Sequence, residues 1–171
     1  MKKLALFCLL AALALASSCG YNFRGSTNNL PADIRKVAVP VFENKTVETN
    51  IERTFTDEVI FQFTRSQILR VVSVGDADAL LKGTINRVEI ADVAYTSGQT
   101  SRQRRVTVRI NARLLRQSNG EVLWQDPALE AFRTYTVTDS VTADEAAKSA
   151  AITLLATDMA RTLHDRVLEN F

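Results

Sequence analysis

Cys19, His164 and a run of arginines are the residues whose types and spacing could do chemistry in this 171-residue chain. Cys19 stands in "LALASSCGYNFRG", after an apolar stretch and before an aromatic, arginine-containing segment. It can be a free thiol, half of a disulfide or a lipid attachment point. The run from Leu4 to Ala16 behind Lys2 and Lys3 has the layout of a secretory signal peptide. It is far short of the roughly 20 residues of a permanent membrane span. Ala14-Leu15-Ala16 offers an A-x-A cleavage site, while Ala16-Ser17-Ser18-Cys19 has the form of a bacterial lipobox with alanine where leucine is usual. Cys8 lies in the removed segment, so the mature chain has one thiol and no internal disulfide. Lipidation consumes a thiol that would otherwise oxidise. It would leave N-acyl and S-diacylglycerol lipid on Cys19, and no other cofactor is expected.

Catalytic chemistry finds little support. A metal site needs several ligands, and the mature chain offers only His164 and Cys19 as histidine and cysteine. His164 sits in the last turns of a helical segment, where a solvated or helix-end role is expected. The pairs Asp57-Glu58 and Asp144-Glu145 are neighbours on helical segments, so each splays across a surface instead of facing one bond. No glycine-rich phosphate loop is present, and only His164 could activate a hydroxyl. The residues point away from an enzyme.

The arginines are the most unusual local feature. Arg102, Arg104, Arg105, Arg109, Arg113 and Arg116 fall in a stretch with no acidic residue from Gly98 to Gly120. On a strand, Arg105, Arg109 and Arg113 project from one side, about 13 Å apart. They can pair with acids on neighbouring strands, such as Glu89, Asp92 or Glu130. Alternatively, Arg102, Arg104 and Arg105, at the loop end, can grip an anion, because guanidinium forks suit phosphate. Bulk charge does not point to nucleic acid: without Lys2 and Lys3 the 21 basic residues become 19, matching the 19 acidic ones.

The elements that must position these residues follow from periodicity. "KVAVPVF" reads as a short edge strand limited by Pro40, followed by the turn "ENKT". Ile51, Phe55, Val59 and Phe63 form the apolar stripe of a helix. "ILRVVSV" reads as a strand and "GDAD" as a turn. From Ala79 to Tyr95 apolar alternation slips phase twice, as a long strand with bulges would. "TSGQTS" should be a hairpin loop to a strand burying Val106, Val108, Ile110, Ala112 and Leu114. "SNGE" signals a second hairpin into "VLWQD". Pro127 interrupts, and "LEAFRTYTV" reads as a further strand. Thr142 with Glu145 fits a capping box for a final helix with a stripe of Ile152, Leu155, Met159, Leu163 and Val167. Ala146, Ala147, Ala150 and Ala151 would allow close approach to a neighbour. The expected fold is α+β, a two-layer α/β sandwich with two amphipathic helices on one face of a four- to five-stranded, mostly antiparallel or mixed sheet. Residues 1–18 would be a signal peptide, 19–33 a lipidated tether and 34–171 one domain.

"CGYNFRG", "LPADIRKVAVPVFENKT", "ADALLKGTI" and the closing helix, in this order, resemble the lipopolysaccharide-assembly lipoprotein family LptE. The matching positions include Gly20, Pro31, Phe42, Asn44, Thr46, Asp78 and Gly83. The resemblance implies a non-enzymatic lipoprotein at the outer membrane that plugs the barrel of the LptD translocon, helps it assemble and delivers lipopolysaccharide to the cell surface. Its partners would be the LptD-like β-barrel, lipopolysaccharide and the membrane holding the anchor. Candidate lipopolysaccharide contacts are Arg102, Arg104, Arg105, Arg109 and Arg113. "VAVPVFENKT" before an amphipathic helix also occurs in lipoprotein activators of peptidoglycan synthases, and a periplasmic module for another anionic ligand is a third reading.

Overall fold

The computed structural model describes residues 30–94, 102–137 and 140–169. The expected signal peptide, Cys19 and the expected hairpin loop "TSGQTS" lie outside them. Among the described residues the chain forms β1 (Lys36–Ala38), β2 (Glu43–Asn44), α1 (Ile51–Ser66) and β3 (Arg70–Val71), then β4 (Ala79–Ala94), β5 (Arg102–Arg116), β6 (Val122–Val137) and α2 (Val141–Glu169). The sheet is mixed, ordered β3-β1-β4-β5-β6, with β2 pairing β4 beyond the end of β1. β1, β2 and β3 are short and parallel to their neighbours; β4, β5 and β6 form a long antiparallel meander. The sixth strand is β2, two residues inside the expected "ENKT" turn.

The apolar periods place the core. Ile51, Phe55, Val59 and Phe63 of α1 are buried, as are Ile152, Leu155, Met159, Leu163 and Val167 of α2. They pack over Val106, Val108, Ile110, Ala112 and Leu114 of β5, so both helices lie on one sheet face. The close approach of α2 is made by Ala151, Ala156 and Ala160; Ala146 and Ala150 stay exposed. Two phase slips in β4 become two register shifts, between Ile85 and Arg87 and between Asp92 and Ala94. Each adds a residue on β4, and the first returns Val88 and Ile90 to the side of their partners Val108 and Val106.

Two expectations change. β6 runs unbroken through Pro127, because it is an edge strand where a missing N–H costs little. The register jumps there, and Asp126 Oδ1 accepts the Ala128 N–H at 3.0 Å. The N-cap of α2 is Ser140, not Thr142: its Oγ accepts the Ala143 N–H at 3.4 Å and its carbonyl the Asp144 N–H at 2.9 Å.

Polar contacts fix the short strands. The Asp78 carboxylate accepts the N–H groups of Arg35 and Lys36 at 3.0 and 2.8 Å. The Arg35 hydrogen bond leads in holding the Asp78 pKa below the ordinary carboxylate value. Thr56 Oγ1 accepts the Phe42 N–H at 2.9 Å and donates to the Glu52 carbonyl at 2.6 Å. Thr56→Val keeps the shape but strands a buried N–H. It is expected to cost about 2 kcal/mol in urea unfolding, and a loss under about 0.5 kcal/mol would show that the donor finds water. At the far end of β5, Arg116 pairs with Asp33 and with Glu121, placing the segment before β1 beside the Arg116 end of the strand. Leu30, in the stretch expected to be tether, is buried in the core.

Candidate functional site

Alternation along β5 divides the arginines between two faces. Arg104 shares the helix side with Val106 and Val108. Its Nε lies 2.9 Å from Asp92 Oδ1 and its Nη1 3.2 Å from Asp144 Oδ2, joining β4, β5 and the first turn of α2. The Asp92 hydrogen bond leads in raising the Arg104 pKa, with the Tyr135 hydroxyl as a second acceptor. Burial pushes the Tyr135 hydroxyl pKa up. Arg104 is therefore a structural clamp and does not stand free for a ligand.

Arg105, Arg109 and Arg113 lie on the open sheet face. The Arg105 guanidinium sits 4.4 Å from the centre of the Phe132 ring, and its Nε is sealed from water without a hydrogen-bond partner. Phe132 is 60% exposed, so this face presents an aromatic surface with a cation on it. Arg109 bonds Glu130 Oε2 through Nε at 2.7 Å and Nη2 at 2.5 Å. Arg113 has no carboxylate partner among the described residues. Arg102 begins β5, and its side chain lies outside the description.

Register adds what the sequence did not offer. Arg113 lies directly opposite Lys82 of β4, and Arg109 directly opposite Arg87. Facing residues on antiparallel strands are about 5 Å apart at Cα, and like charges placed so are destabilising. Arg87 is offset by Glu89 at 2.5 Å and Arg109 by Glu130. Lys82 also has no carboxylate partner among the described residues. Between the two cation pairs Thr84 faces Asn111, and the Thr84 hydroxyl donates to Glu43 Oε2 at 3.2 Å, so one carboxylate borders the face from β2. Lys82 and Arg87 were not among the sequence candidates. The only sequence signal was their alternation in "LLKGTINRVEI", and facing partners appear only once the hairpin register is known.

The other groups considered for chemistry have structural surroundings. Asp144 pairs with Arg104, and Glu145 with Lys148 at 2.9 Å. His164 is largely enclosed, not solvated: its ring meets Phe63 edge-on at 5.0 Å and Nδ1 lies 3.0 Å from Asp165 Oδ1. Among the described residues no three His, Cys, Asp or Glu side chains converge as a metal site, and no helix is long and apolar enough to cross a membrane.

The fold is a sheet covered by helices on one side and presenting cations and an aromatic ring on the other. The same fold occurs in the PelC dodecamer from Paraburkholderia phytofirmans, 17% identical with a TM-score of 0.51 over 83% of this chain and 94% of that one. It recurs in a minor lipoprotein from Acinetobacter baumannii, 13% identical with a TM-score of 0.51 over 82% and 95%. A Caulobacter crescentus protein described as a lipoprotein is 18% identical with a TM-score of 0.51 over 75% and 88%. These likenesses concern the fold alone. No relative matches among curated proteins. The model of the lipopolysaccharide-assembly family LptE matches residues 34–168, and the chain belongs to that family.

Proposed function

We propose that this chain is an outer-membrane lipoprotein, anchored through lipid on Cys19, that plugs and helps assemble a lipopolysaccharide translocon barrel and contacts lipopolysaccharide during its delivery. Family membership supports the assembly role. The observation carrying the ligand contact is the facing pair Lys82 and Arg113, two cations held together without a carboxylate. A phosphate group between them would relieve their repulsion and accept charge-assisted hydrogen bonds from both. Arg105 and Arg109 extend the same face, whereas Arg104 supports it from the other side. Nothing in this role calls for bond-breaking chemistry.

The test is lipopolysaccharide binding by a Lys82→Glu, Arg113→Glu variant. Losing two charge-assisted contacts is expected to weaken binding about tenfold or more, with the melting temperature little changed because both side chains are exposed. Unchanged affinity would remove this face from the ligand site. Affinity purification from membranes should also recover a β-barrel protein; recovering a penicillin-binding protein in its place would favour the synthase-activator reading.

A further inference from the structure

The long meander has two free edges, and they are finished differently. Beyond Ile85, where β2 stops pairing, β4 has no neighbour on its outer side among the described residues. Both of its register shifts fall there, and bulges of this kind discourage the addition of another strand. β6 is the last strand of the sheet, and its outer edge is also unpaired among the described residues. Asp126, Pro127 and the register jump beside them guard its first part. From Leu129 to Val137 no such device is present: the register with β5 is unbroken, from Ile110 opposite Leu129 to Arg102 opposite Val137.

The residues of this stretch favour pairing. "LEAFRTYTV" is rich in the aromatic and β-branched side chains that suit strands. Charges guard an edge when nothing neutralises them, and here both are engaged within the chain: Glu130 by Arg109 at 2.5 Å, and Arg133 by Asp158 of α2 at 2.6 Å. α2 flanks this edge without covering it, because the Arg133 and Asp158 side chains stay 38% and 51% exposed. Apolar surface remains on both sides of the strand. Phe132, 60% exposed, stands on the open face, and Leu154, 52% exposed, lies one helical turn before Asp158.

We infer that β6 pairs antiparallel with β6 of a second copy of this chain, about a two-fold axis at Phe132. An interface of this symmetry must be self-complementary, and the centre chosen fixes the partner of every residue. With Phe132 facing its own counterpart, Glu130 faces Thr134, Ala131 faces Arg133 and Leu129 faces Tyr135. No like charges meet, and the two exposed rings form a cross-strand aromatic pair. A centre at Glu130 or at Arg133 would instead set like charges face to face. This fit of the stretch to itself names the occupant as another copy. The axis stands perpendicular to the sheet, so the two open faces join into one surface and the two helical layers stay together on the other side. Lys82 and Arg113 remain on the open face of both copies, so the pairing and the ligand contact can fail independently.

The experiment follows the mass of the full chain by sedimentation equilibrium over a concentration series, in neutral detergent that is density-matched and present with micelles in excess. A monomer–dimer equilibrium is expected. Phe132→Asp places two carboxylates face to face at the axis and should raise the dimer Kd about tenfold or more. Should that variant not fold, Thr134→Glu, opposite Glu130 of the partner subunit, should raise it severalfold. Register is read separately. A Glu130→Cys chain mixed with a Thr134→Cys chain and mildly oxidised should give a 130–134 disulfide between copies, identified by mass spectrometry of the joined peptides whatever the state of Cys19. Glu130→Cys alone should not join to itself, because the two positions stand about 13 Å apart along the strands. A monomer at every concentration, a dimer unaffected by the variant that folds, or a dimer without the 130–134 bond overturns the inference.

Discussion

Replacing Gly83 by valine is expected to destabilise the domain by about 3 kcal/mol, at the upper end of what overpacking a core costs. Gly83 faces the helices from β4, and a Cβ built on it would overlap the Phe42 ring. The ring cannot simply swing away: Phe42 is 2% exposed, and its backbone N–H is held by Thr56. The segment between β1 and β2 must therefore move, together with the pairing of Glu43 and Asn44 to β4. For a domain of this size the melting temperature should fall by roughly 6–12 °C. Phe42→Ala removes the obstacle, so its combination with Gly83→Val should be less destabilised than the sum of the two single changes. Additive effects would show that the glycine is not there to admit the ring.

The largest change in behaviour is expected from Cys19→Ser. Each acyl methylene buried in a bilayer contributes about 0.8 kcal/mol, and stable anchoring needs two signals such as two chains. The proposed N-acyl and S-diacylglycerol modification supplies three chains at one residue, and the serine variant supplies none. No described helix can replace them as a span. Wild-type protein should stay with membranes through a high-salt or alkaline wash, whereas the variant should leave except for the fraction held by a protein partner. Mass spectrometry of the mature wild-type chain should show all three acyl chains on Cys19. A wild-type chain beginning at Ser17 with a free thiol, or a variant as wash-resistant as wild type, would overturn the anchor.

Local patterns in the sequence were enough to place the long elements. Period four from Ile51 to Phe63 gave α1, and strict alternation from Arg105 to Leu114 gave β5 and its core face. The slipped phase of β4 even located its bulges, because one inserted residue reverses every later side chain. Pairings between distant segments were beyond it. β2 is two residues long and exists only because β4 offers a free edge beyond β1. Pro127 looked like an interruption because the edge position of β6 is not written in its own residues. Lys82 and Arg113 are far apart in sequence, and only register makes them face each other. Several positions that carried the family resemblance serve the fold. Asp78 caps the start of β1, Asn44 Oδ1 accepts the Thr46 N–H at 2.9 Å, and Gly83 makes room for Phe42.

The ion pairs of Arg116 and the span of β5 together set a reach. Arg116 ties down the segment through which the chain enters from its amino-terminal side, and the fifteen residues of β5 carry the sheet away from that point to Arg102. At about 3.3 Å per residue that is close to 50 Å, more than the roughly 30 Å hydrocarbon thickness of a bilayer. Were the proposed anchor to hold the domain by its Asp33 end, strand length would be the ruler that decides how far from that point the sheet can touch.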